Sequence, residues 1–187
     1  VFKKGKLAMF KSTIVLSFLI LMGCAVALVP ESNNPKTKID QASILFNKQG
    51  RPVGAVRLLK QAIELAKEQK DLESEAIAEF YLGEIYKAPG PRGSKIKNPQ
   101  LALEYYDRSI RIFDSLKYYK KSAFVYWNKS GAYNLLGKAK EQCQALRKAE
   151  KSHKKPGADA KDILSPEFAS GNLLKSIHYL LKENKCK

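Results

Sequence analysis

Histidine is almost missing from this chain, with His153 and His178 the only two among 187 residues. Neither has the neighbours that a metal site or a Ser-His-Asp arrangement needs, so both read as satisfied surface or interface side chains. Cysteine is scarce as well, at three, and no two of them form the C-x-x-C pair of a dithiol redox centre. The pair Gly90-x-x-Gly93 follows a helical stretch rather than a strand and lacks the lysine of a phosphate-binding loop. Acidic pairs such as Glu73 and Glu75 stand among basic residues and read as solvated charge. These shortages argue against an enzyme, and no cofactor and no metal ligand is expected.

Acids are the other deficit, 18 against 34 lysines and arginines, for a net charge of +16. Part of that excess lies at the start, where Lys3, Lys4, Lys6 and Lys11 precede an apolar run from Ile14 to Met22. A basic segment followed by an apolar one is the layout of an export signal. The run closes on Leu21-Met22-Gly23-Cys24, which resembles the lipobox of bacterial lipoproteins. That resemblance implies cleavage after residue 23, a diacylglycerol on the Cys24 sulfur and a cell-envelope address. The thiol is the group that such chemistry needs, because it is the nucleophile. Ala25 stands where an aspartate would favour retention at the inner membrane, so the resemblance implies an outer-membrane anchor facing the periplasm. The competing readings are an ordinary secretory signal and an uncleaved transmembrane anchor. The anchor's apolar stretch, Thr13 to Val29, has 17 residues, short of the roughly 20 that a bilayer takes, and Pro30 stops it.

Residues 1–23 hold four lysines and no acid, so 30 basic and 18 acidic side chains remain after cleavage, a net +12. Such a chain is drawn to anionic lipid head groups, envelope polymers or acidic partners, unless its lysines only solvate helix faces. An exported address removes most nucleic acid from reach, and none is expected as a partner. An oxidising periplasm would let Cys143 and Cys186 pair. The alternative keeps Cys143 as a small apolar helix residue and Cys186 as a free thiol near the end.

Past a short tether of residues 24–36, the body is periodic. Ala55, Leu59 and Ala62 have a 0, +4, +7 spacing that recurs at Ala102, Tyr106 and Ser109 and again at Gln142, Leu146 and Ala149. Each set is preceded by a small residue three positions before an aromatic: Ser43 and Phe46, Gly83 and Tyr86, Ser130 and Tyr133. Small residues let helices approach closely, and the aromatic fills the wedge beside the contact. No stretch alternates with period two, so strands are not expected. Thr37 with Asp40 has the form of a capping box, and Asn98-Pro99 and Ser165-Pro166 read as helix starts. The Pro99 helix is expected to bury Leu101, Tyr105, Ile112, Phe113 and Leu116, and the last helix, Pro166 to Lys185, to bury Leu173, Leu174, Ile177, Leu180 and Leu181.

This pattern over roughly Thr37 to His153 resembles the tetratricopeptide repeat. The middle unit, Ala78 to Tyr86 with Gly90, Gly93 and Leu101 to Tyr106, is similar to its Sel-one-like relative. The fold class implied is all-α: a short solenoid of about three antiparallel helix pairs in residues 37–153, and a capping helix within 154–187. In that family the first helix of each pair lines a concave groove. The resemblance therefore assigns partner binding to Asn47 and Lys48, to Phe80, Glu84 and Lys87, and to Phe124, Trp127 and Asn134. Trp127 has a second reading, as a core residue between helices. The function expected is a membrane-tethered, non-catalytic adaptor holding a protein or peptide partner in this groove. The alternative is a basic envelope protein that binds anionic lipid or polymer directly through its lysines.

Overall fold

A computed structural model describes residues 31–88, 90, 95–156 and 172–186. The apolar leader, Cys24, most of the 89–94 loop and the Ser165-Pro166 helix start lie outside the described residues. Among those described, seven α-helices and no strand are found: α1 Pro35–Ser43, α2 Pro52–Glu68, α3 Leu72–Lys87, α4 Pro99–Ser115, α5 Tyr119–Leu135, α6 Ala139–His153 and α7 Asn172–Glu183. The chain is all-α, and none of the described helices is long and apolar enough to cross a membrane.

Helix starts follow local chemistry. Asn98 accepts from the Leu101 amide (3.0 Å) with Pro99 at the first helical position, as read from the sequence. The first helix corrects that reading, because its cap is Asn34 rather than Thr37. The Asn34 Oδ1 accepts from the amides of Lys36 (2.8 Å) and Thr37 (3.3 Å), so Thr37 is already inside the helix. Asp71 caps α3 through the Ser74 amide (3.1 Å) and hydroxyl (2.6 Å). Burial works against its charge, but these bonds outweigh burial and hold its carboxyl below the usual range.

The tight turns share one design. A residue with positive φ ends each helix, at Lys70, Lys117 and Gly137, and the next amide reaches back to the last turn: Asp71 to Ala66 (2.8 Å), Tyr118 to Phe113 (2.9 Å), Lys138 to Tyr133 (3.0 Å). This is the left-handed C-terminal cap that satisfies orphan carbonyls and reverses the chain. Only Gly137 adopts it without a Cβ penalty. At α1 the chain instead widens into a π-helical turn, Ile44–Lys48, before Gly50.

Consecutive helices pack on one another from α1 to α7, and the odd-numbered ones also touch, α1 on α3 and α3 on α5. Every member of the three spaced sets is buried, including the polar Ser109 and Gln142. On α4 the buried line is therefore Ala102, Leu103, Tyr106, Ser109, Ile110 and Phe113. Of the stripe expected there, Phe113 is buried, while Leu101, Tyr105, Ile112 and Leu116 stay half-exposed. Burial follows the small residues because they bring α3 and α4 together, with the Ser109 hydroxyl bonded to the Ala76 carbonyl at 2.8 Å. Helix α3 is buried on two sides, Ala76 and Phe80 in one core and Ala78, Leu82 and Ile85 in the other. On α7, Leu173 and Ile177 are fully buried and Leu174, Leu180 and Leu181 half-buried.

Gly83 marks a close approach of two helices. A Cβ there would stand 2.5 Å from Cε1 and 2.7 Å from Cδ1 of Tyr106, a ring with no solvent exposure. Gly83→Ala is expected to destabilise the protein in chemical denaturation. Overpacking typically costs about 1–3 kcal/mol, more than the roughly 1 kcal/mol that alanine gains over glycine inside a helix. A raised denaturation midpoint would count against the close approach.

Candidate functional site

The face shared by α1, α3 and α5 is built from polar side chains that reach between alternate helices. The Tyr81 hydroxyl of α3 shares a hydrogen bond with Ser43 of α1, and burial raises its pKa. One turn on, Lys87 donates to Glu84 Oε1 at 2.8 Å and to Asn128 Oδ1 of α5 at 3.0 Å. Tyr106, from α4 beneath, donates its hydroxyl to Glu84. Burial first, then the Glu84 charge and that bond, hold the Tyr106 phenol far above its ordinary range, so it stays a donor. Asn128 completes the set by donating to the Phe124 carbonyl at 3.1 Å.

Gly131 leaves room for Lys87, whose Cδ would lie 3.9 Å from a Cβ at that position. The same stripe of α5 carries Trp127 and Asn134, at the 0, +4, +7 spacing of one helix face.

The residues that sequence assigned to partner binding divide into two groups. Asn47, Lys48 and Asn134 are exposed, and the Asn47 amide also donates to Ser43 at 3.1 Å. Glu84 and Lys87 are half-buried, and Trp127 is half-buried with its ring 5.9 Å from that of Phe124. Phe80 and Phe124 are corrections, because each is 4% exposed inside the core that runs from α3 to α7. Their centroids lie 5.4 Å apart, and tertiary contact rather than helix position removes them from solvent. Phe124, backed by Phe80, forms the floor on which Trp127 rests.

Tyr106, Asn128, Gly131 and the Ser43–Tyr81 pair were missed as site residues. Ser43 belongs to the small-residue pattern and Tyr106 to the spaced sets, a spacing that by itself signals packing.

Across the molecule, α2, α3 and α4 enclose an open cavity of about 490 Å³ lined in part by Lys60, Lys67, Glu79, Tyr105 and Arg108. Glu79 is only 4% exposed; burial raises its pKa, opposed by the Arg108 guanidinium that donates to it at 2.9 Å. Arg108 also lies 4.2 Å over the Tyr105 ring, so this cluster is tied together internally.

Cys143 of α6 and Cys186 beyond α7 stand as a disulfide pair, with 5.4 Å between their Cα atoms. Among the described residues no group of three His, Cys, Asp or Glu side chains is placed to hold a metal ion. Comparison of the chain with protein-family models and with curated proteins finds no match.

Proposed function

We propose that this chain is a membrane-tethered, non-catalytic adaptor of the bacterial cell envelope. Its helix pairs act as a short tetratricopeptide-like solenoid, lipid-anchored at Cys24 on the outer membrane and facing the periplasm. The face of α1, α3 and α5 holds an extended segment of a protein partner. One observation carries this reading: α1 touches α3 and α3 touches α5, and their common side offers hydrogen-bonding groups with a half-exposed tryptophan, Trp127, on an aromatic floor. Asn47 and Asn134 supply amide donors and acceptors at the exposed ends, suited to a peptide backbone. Trp127 supplies the kind of anchor that dominates binding energy at such interfaces.

The expected result is that a photo-cross-linker at Asn47 or Asn134, in cells, captures one common partner. The same reagent at Lys67 or Arg111, exposed on the even-numbered helices, should not. Equal capture from both sides would defeat the groove. The tether is tested separately by labelled fatty acid, which should enter the wild-type chain and be lost with Cys24→Ala.

A further inference from the structure

The outer face of α6 is unlike that of the other helices. At 100° per residue, Lys140, Gln144, Arg147, Lys148, Lys151 and the C-cap Lys154 fall within one arc of about 120°, and Lys155 follows directly after the cap. All seven are exposed, while Gln142, Ala145, Leu146, Ala149 and Ser152 are buried on the other side. From Lys140 to Lys154 the row extends over about 21 Å at the helical rise per residue.

No acid lies in the arc. Glu141 and Glu150 flank it, and Glu150 is engaged by Lys154 at 2.6 Å and by His178 of α7 at 3.0 Å. Lys148 and Lys155 lie over the rings of Tyr126 and Tyr119, at 6.0 and 4.7 Å, without an acidic partner among the described residues. Lys140, Arg147 and Lys151 make no ion pair among the described residues. On α2, by contrast, Arg57, Lys60 and Lys67 alternate with Glu64 and Glu68 on the exposed side.

We propose that this stripe seats the domain on the anionic head groups of the membrane to which the chain is tethered, fixing which way the groove faces. The inference rests on the membrane tether proposed above and not on the groove. A straight row of point charges on the convex side of a helix fits a flat field of phosphates. Five of the six cations are lysines, which attract charge without the planar two-bond geometry by which arginine picks out single groups. None of the seven residues is aromatic, and the two rings beside the row, Tyr126 and Tyr119, each have a lysine ammonium over them, which disfavours base stacking. A tethered domain samples that surface continuously, so modest attraction per cation suffices to bias its orientation.

The test uses the full chain reconstituted in vesicles and a water-soluble amine-acylating reagent, with each lysine read by mass spectrometry. With about 30 mol% anionic lipid, labelling of Lys140 and Lys151 should fall at least about threefold relative to purely zwitterionic vesicles. Lys60 and Lys67 should not change, and salt of about 0.5 M should abolish the protection. The joint variants K140Q/R147Q/K151Q and K140E/R147E/K151E, checked for intact helix content, should lose the protection of Lys148, Lys154 and Lys155. Equal labelling on both kinds of vesicle overturns the proposal. So does protection by soluble polyphosphate or duplex DNA that exceeds protection by anionic vesicles, since the occupant would then be a soluble polyanion. Trp127→Ala should leave this footprint unchanged, so failure of the groove and failure of the stripe are separable.

Discussion

Phe80→Ala is expected to lower folding stability by about 3–5 kcal/mol, the usual range for removing a buried phenylalanine. The ring is 4% exposed and meets Tyr81, Tyr106 and Phe124 at centroid distances of 5.4, 6.2 and 5.4 Å. Three rings on different helices hold the void open, and the lost contacts join α3 to both α4 and α5. Denaturant midpoints with the accompanying slopes check this, and a loss under about 1 kcal/mol would place Phe80 outside the core. Trp127→Ala should behave differently, because its ring is half-exposed. It should weaken partner capture by about 1–3 kcal/mol while changing stability less than Phe80→Ala does. If both variants lost only stability, the face shared by α1, α3 and α5 would have no aromatic anchor.

The contrast between these two aromatics shows how far sequence reaches. The spaced sets from Ala55, Ala102 and Gln142 were legible as buried lines because a helix repeats its face on a local period that neighbours cannot change. The same logic correctly placed Asn47 and Asn134 in solvent. It failed for Phe80 and Phe124, which stand on the right face yet are covered by one another across 44 residues of chain. A helical period says which way a residue points and not what meets it.

Asn128 and Tyr106 escaped for the same reason, since their bonds to Lys87 and Glu84 span 41 and 22 residues. The cap of α1 was misplaced because Asn34 and Thr37 both have capping side chains. Asn34 precedes Pro35, and proline at the first helical position decides between them. The π-helical turn at Ile44–Lys48 has no local composition that announces it.

Removing the Cys143–Cys186 link should be as severe as removing Phe80, and for a different reason. Helix α7 has 12 residues, below the length at which an isolated helix holds in water, and only Leu173 and Ile177 on it are buried. Burying two such side chains contributes about 3–6 kcal/mol, while ordering a dozen backbone residues costs more. A covalent tie to α6 reduces the entropy that the unfolded chain can regain, by roughly 3–4 kcal/mol for a separation of 43 residues. Cys143→Ser, or reduction of the purified protein by a dithiol, should therefore lower stability by about that amount. The loss should appear first as faster amide exchange in α7, with α2 and α3 still protected. Thiol counting on the unreduced chain should find no reactive sulfur besides Cys24, and lipid should block that one where the tether is made. Two further reactive thiols, or unchanged exchange in α7 after reduction, would show that packing alone keeps this helix in place.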